Sequence, residues 1–268
     1  MHRGEPPNSK DPTTLHGSVA PRPSLDASIA ATARELGDAR ARPNRTWLAG
    51  LLDLPSKGLD RFLAEIPGLT PLERALQSAH TAGGRRFYAQ FRAPFELYVI
   101  TRALRPAHVV ETGVSSGVSS VHFLAALRRN RRGRLHSIDR PLVQAGPTLR
   151  AGESAVRVPP GRSSGWAMPS AYRREWDLRL GLSQERLPSL VGEIPSVDIF
   201  LHDSHHTPTH LTFELETIRP KLHPGSIVLA DNTEWTGEAF PRFARSLGAK
   251  LWRRGRSDLV GLRVPEPL

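Results

Sequence analysis

The chain has 268 residues, a formal net charge of +11 and no cysteine. That length fits one large domain, or one domain with an appendage, and the missing cysteines exclude internal disulfides and thiolate metal ligands. No apolar run reaches the length of a membrane span, and the opening Met1-His2-Arg3-Gly4-Glu5-Pro6-Pro7 has no signal-peptide pattern, so a soluble, cytoplasmic protein without membrane contact is expected.

Residues 1–23 carry Pro6, Pro7, Pro12, Pro21 and Pro23 among polar residues and read as a disordered tail. A helix is expected over 24–41, with Ile29, Ala33 and Leu36 on one face and Ser24 or Asp26 near its cap. Shorter helical patterns follow at 47–54, 58–66 and 71–82. Together, residues 24–84 read as a helical appendage, and the main domain is expected over 85–268. A helix over 94–104 starts on Pro94, where the missing N–H is no loss.

From residue 107 onward strands and helices alternate. Strands are expected at 107–110, 135–138, 176–180, 197–202, 226–230, 250–253 and 259–264, and helices at 118–127, 183–191, 207–218 and 238–247. The link between the last two strands is too short for a parallel crossover, so the final strand should run antiparallel. This order spells an α/β, Rossmann-like, doubly wound, seven-stranded sheet. The run Arg128-Arg129-Asn130-Arg131-Arg132-Gly133-Arg134 is the densest source of charge. It has no interleaved aromatics, which single-strand binders usually show, and reads as a solvated loop in an arginine-biased chain.

In open α/β sheets ligands lie beyond the carboxyl ends of the strands. The first strand runs into Glu111-Thr112-Gly113-Val114-Ser115-Ser116-Gly117 and then a helix. Glycines there let a ligand approach the backbone, and the helix start offers N–H groups. The E-x-G-x-x-x-G spacing is neither the dinucleotide fingerprint nor the phosphate loop, and no lysine follows Gly117. Asp139 ends the second strand about 25 residues later, where a carboxylate can accept two ribose hydroxyls. Ser183 and Gln184 follow the third strand; Ser183 equally suits the N-cap of the next helix. Asp203 follows the fourth strand, and Asp231 with Asn232 follows the fifth. These two carboxylates and one amide form an oxygen donor set suited to a hard cation such as Mg²⁺. His202, His205, His206 and His210 cluster beside them, and His206 with His210 at i, i+4 also allows an all-histidine zinc site.

The glycine turn resembles the first motif of class I S-adenosylmethionine (SAM)-dependent methyltransferases, over about residues 85–264. The Asp203 and Asp231-Asn232 arrangement resembles the metal site of catechol-type O-methyltransferases. Asp203-x-x-His206 resembles bacterial relatives that methylate sugar hydroxyls of natural products. The resemblance implies SAM contacts at Glu111, Gly113, Ser115, Gly117, Ser119, Asp139, Ser183, Gln184 and Asp203, with Ser119 at the methionine carboxylate and Gln184 at the adenine. It implies a divalent cation at Asp203, Asp231 and Asn232, with His206 as base. The expected partner is a small molecule carrying a hydroxyl (sugar, polyketide or catechol-like diol), and a homo-oligomer is left open. The rivals are a cephalosporin-hydroxylase-like enzyme of the same fold and an RNA-binding or RNA-methylating protein. In the 159–169 stretch, Trp166 and Met168 either cover a ligand or pack on the sheet edge. Trp235 is either a pocket wall or a core aromatic.

Overall fold

The computed structural model describes residues 43–84, 87, 91–141, 158–255 and 259–266, together with residues 1, 24 and 27. The expected tail over 1–23 and nearly all of the expected helix over 24–41 lie outside the described residues. So do residues 142–157, between the second strand and the 159–169 stretch.

The N-terminal helices are α1 (Arg45–Leu52), the single turn α2 (Asp60–Leu63) and α3 (Thr70–Gly83). Asn44 caps α1 by accepting from the Trp47 N–H. The pattern expected over 58–66 resolves into a 3₁₀ turn at Ser56–Leu59 followed by α2, because its apolar residues serve a short, tightly packed corner. Helix α4 (Pro94–Leu104) begins on its proline and stops at Arg105, whose left-handed backbone precedes Pro106.

The sheet contains β1 (His108–Thr112), β2 (Arg134–Asp139), β3 (Trp176–Leu180), β4 (Ile199–His202), β5 (Ile227–Ala230), β6 (Leu251–Arg253) and β7 (Val260–Arg263). Its order is β3-β2-β1-β4-β5-β7-β6. Strand β7 runs antiparallel to both neighbours, and the first five strands are mutually parallel. The crossovers carry α5 (Val118–Asn130), α6 (Ser183–Glu193), α7 (Pro208–Ile218) and α8 (Ala239–Ser246). Strands β4 and β5 are buried throughout, which is why they read as continuous apolar runs.

Alternate strand residues feed two cores, one on each face. Val109, Leu135, Ile199, Leu201, Ile227 and Leu229 join residues of α1 to α5 in one cluster. Val110, Ile138, Phe200, Val228 and Ala230 join α6, α7 and α8 in the other. The N-terminal helices therefore share a core with the sheet. The carboxyl ends are level across the sheet: Thr112 pairs with Ile138 and with His202, and His202 pairs with Ala230. The residues just past those ends form one rim. Among the described residues no helix is long and apolar enough to cross a membrane.

Candidate active site

The rim opens into a crevice of about 370 Å³. Of the residues expected there, Gly113, Ser115, Ser119, Asp139, Ser183, Gln184, Asp203, His206, Asp231 and Asn232 line it. Glu111 and Gly117 do not.

The floor is the β1–α5 turn. Gly113 has φ +88, and a Cβ there would stand 1.9 Å from the Asp203 carbonyl oxygen. The glycine thus lets the end of β4 pass across the turn. Ser115 also has positive φ, and its Oγ is buried without a hydrogen-bond partner. Backbone N–H groups of Val114 and Ser115 donate to the two Asp139 oxygens at 3.2 and 3.3 Å. Ser164, from the 159–169 stretch, donates its hydroxyl to the same carboxylate.

Glu111 was expected at the cofactor. Instead its side chain lies fully buried beneath the floor, taking hydroxyl donors from Ser119, from Ser120 at 2.6 Å and from Ser137 at 2.7 Å. Burial pushes its pKa up to about 7. The Ser119 hydroxyl is therefore already engaged by Glu111. Gly117, also expected at the cofactor, faces the 159–169 stretch: its Cβ position is 2.9 Å from the Gly165 Cα and 3.5 Å from the Met168 Cε. Glu111 thus lies beneath the turn, and Gly117 lies against the 159–169 stretch.

The 159–169 stretch packs on the turn. Gly165 N–H donates to Ser115 O at 2.8 Å and Ala167 N–H to Ser116 O at 3.2 Å. Met168 is buried, and the Trp166 ring sits edge-on to His80 with its centroid 5.4 Å away. Neither Trp166 nor Met168 lines the crevice. Trp235, by contrast, is 56% exposed and forms part of its wall.

Across the crevice, Asp231 N–H donates to His202 O at 2.9 Å, which locks the β4 and β5 ends together. Burial holds the Asp203 carboxyl well above the usual range, and the charges of Asp231, Glu111 and Asp139 add to that. Asn232 adopts a left-handed backbone next to Asp231. Two carboxylates and an amide oxygen here fit a divalent cation that keeps open positions. Among the described residues no three or more His, Cys, Asp or Glu side chains are arranged to hold a metal ion.

His206 Nε2 lies 3.8 Å from Asp203 Oδ1, and the ring sits edge-on to Trp235 at 5.8 Å. Burial, then repulsion from His202, pushes its pKa down to about 3, so the imidazole is neutral at neutral pH. Its Nδ1 has no hydrogen-bond partner. The all-histidine zinc alternative is not formed. Helix α7 begins only at Pro208, so His206 and His210 do not share a helical face, and both His210 nitrogens are engaged elsewhere.

Glu214 was missed in the sequence. It is fully buried, and its oxygens meet Thr112 Oγ1 (2.7 Å), His202 Nδ1 (2.7 Å), His210 Nε2 (2.9 Å) and Ser204 Oγ (2.9 Å). Burial pushes its carboxyl up, but the histidines outweigh that and hold it well below the usual range. Its spacing of four from His210 on an apolar helix face was the only available signal. Ser183 does not cap α6: its Oγ lies 2.9 Å from His210 Nε2. Ser164 gave no sequence signal.

A doubly wound sheet with a glycine turn, an acid after β2 and an acid-rich rim is a Rossmann-like α/β domain, the architecture that the sequence resemblance to class I SAM-dependent methyltransferases implies. The family model described as "Methyltransferase domain" matches residues 110–233, from β1 to the turn after β5. No curated protein gives a significant match. Among solved structures, the chain is similar to the calicheamicin methyltransferase CalS11 (21% identity, 96% of this chain and 98% of that one, TM-score 0.44). It is also similar to the O-methyltransferase NovP (17% identity, 90% and 98%, TM-score 0.49). An O-methyltransferase from Bacillus cereus in complex with S-adenosylhomocysteine (SAH) gives 12% identity, 90% and 100% coverage and a TM-score of 0.48.

Proposed function

We propose that the protein is a cytoplasmic, divalent-metal-dependent O-methyltransferase acting on a hydroxyl of a small molecule such as a sugar, polyketide or catechol-like diol. The observation that carries this reading is that the Gly113 turn, Asp139, Asp203, Asp231, Asn232 and His206 all line one crevice.

When bound, SAM supplies an electrophilic methyl group on a sulfonium, and a divalent cation supplies a Lewis acid that makes a hydroxyl more acidic. The chain does the rest. Asp139 would accept ribose hydroxyls, and Ser183 and Gln184 would meet the adenine. Ser115 Oγ, buried without a partner, offers a donor beside the turn. Asp203, Asp231 and Asn232 would hold the cation through oxygen, with Asp203 shared between the cation and the cofactor edge. His206, neutral because it is buried among other histidines, takes the acceptor's proton on Nε2. Trp235 forms the acceptor side of the wall. Holding acceptor and cofactor in line lowers the barrier further, with an upper range of roughly 7–11 kcal/mol for such positioning.

The test is calorimetry with SAH, paired with a methyl-transfer assay on catechol. EDTA-dialysed protein should bind SAH but transfer no methyl group until Mg²⁺ returns. Turnover that survives EDTA would remove the cation from the scheme. Absence of SAH binding would remove the scheme itself.

A further inference from the structure

Gln184 is exposed at the crevice, and its side-chain amide can face it either way round. The carbonyl outward presents an acceptor; the NH₂ outward presents donors. Which way it faces is decided one residue deeper, at His210.

His210 is buried, and both its ring nitrogens are engaged. Nε2 lies 2.9 Å from Glu214 Oε1, and Nδ1 lies 2.9 Å from the Gln184 amide nitrogen. Glu214 is surrounded by donors: Thr112 and Ser204 give hydroxyl hydrogens, and His202 approaches its other oxygen. A carboxylate so surrounded has no place for a proton of its own and can only accept. The His210 proton must therefore sit on Nε2, pointing at Glu214. In a neutral ring that leaves Nδ1 as an acceptor. Only the NH₂ end of Gln184 can satisfy it, so the amide carbonyl is turned outward.

We propose that Glu214 and His210 are positioning residues for the base of the nucleoside: they pin the Gln184 amide with its carbonyl facing the crevice, so that the site selects a purine carrying a 6-amino group over one carrying a 6-oxo group. The proposal rests on the SAM reading above, which sets adenine beside Gln184. A 6-amino group donates to the outward carbonyl. A 6-oxo group sets acceptor against acceptor. The relay joins β1, β4, α6 and α7 through one carboxylate, which ties the base end of the crevice to the strand end that carries Asp203.

The experiment is calorimetric titration of the full chain with SAH and with its deaminated analogue, S-inosylhomocysteine. The wild type should bind SAH at least about tenfold more tightly, the usual scale for one satisfied hydrogen bond set against an unsatisfied one. His210→Phe keeps the ring volume but frees the amide, and Glu214→Gln lets the His210 proton move to Nδ1. In both, the ratio should fall toward one. A merely structural role would lower both affinities together and leave their ratio intact. Gln184→Ala, at an exposed position, tests the same point should the buried variants fail to fold, and it should also lose the discrimination. Equal binding of the two ligands by the wild type, or a ratio that survives in Gln184→Ala or in folded His210→Phe, overturns the relay while leaving SAM binding intact. No binding of either ligand overturns both the relay and the cofactor reading.

Discussion

Two buried side chains with shifted proton affinities stand at the centre of the residue-scale argument. His206 is kept neutral by burial and by the neighbouring histidines, so its ring is free to accept a proton, although a value of about 3 makes it a weaker base than a free imidazole. His206→Ala should lower the methyl-transfer rate by about 10²- to 10⁴-fold, the usual contribution of one positioned base. SAH affinity by calorimetry should stay unchanged, since the proposed scheme sets His206 at the acceptor and not at the cofactor. Equal losses in both would place His206 at the cofactor instead. Glu111 behaves in the opposite sense. Its ordinary value of 4.5 is raised to about 7 by burial. Between these two values the folded protein binds more protons than the unfolded chain, so this group's contribution to stability is present at low pH and is lost as pH rises through 7. Glu111→Gln removes the titration. Urea unfolding at pH 5 and pH 8 should show the wild type losing more stability than the variant over that interval. A parallel loss in both proteins would mean that the Glu111 carboxyl titrates normally.

Among the elements, α1 shows how the N-terminal helices and the sheet hold one another. The Trp47 indole N–H donates to Trp252 O at 2.9 Å, and Arg263 Nη1 reaches Leu52 O at 2.5 Å. Gly50 lets the Trp252 ring lie against the helix, since a Cβ there would be 2.1 Å from it. Trp47 is only 3% exposed and belongs to the same cluster as Val109 and Leu229. Trp47→Ala should therefore cost about 3–5 kcal/mol. Urea unfolding followed by fluorescence and by far-ultraviolet circular dichroism should still give one shared transition. Two separate transitions would show that the helices form a unit that melts on its own. The 159–169 stretch is bound by the same kind of contact, with its backbone N–H groups on Ser115 O and Ser116 O, so it belongs to the floor of the site.

For the molecule as a whole, the charge is unevenly placed. A chain of net charge +11 gathers Glu111, Asp139, Asp203 and Asp231 around one crevice. Arg140 lines the crevice as well, and other arginines have structural work. Arg128 and Arg129 fall in the last turn of α5, where cations oppose the helix dipole. Arg129 and Arg102 both pair with Glu65. Burial pushes Glu65 up, but hydrogen bonds from Arg102, Tyr98 and Arg129 outweigh it and bring it to about 2. Arg128 lies 5.7 Å over the Tyr172 ring. The arginine run that reads as a solvated loop is thus in part the end of a helix tied to its neighbours.

The sequence alone determined the alternation of strands and helices, the antiparallel last strand and the residues that end each strand. Those features are local. Apolar periodicity, prolines such as Pro94 and Pro208 and glycines such as Gly113 act within a few residues of themselves. For the same reason Asp139, Asp203, Asp231 and Asn232 could be named as rim residues before any fold was seen. Only the tertiary structure decided what lies beneath and beside that rim. Glu111 turned into the core because its neighbours in space are Ser119, Ser120 and Ser137, from a helix and a second strand. Glu214 became the meeting point of Thr112, His202, Ser204 and His210 because α7 packs across two strands, one of them 102 residues earlier in the chain. Trp166 went inward against His80 and Trp235 outward to the crevice wall. A side chain's direction and partners are set by which distant element comes to rest against it, and no local pattern encodes that.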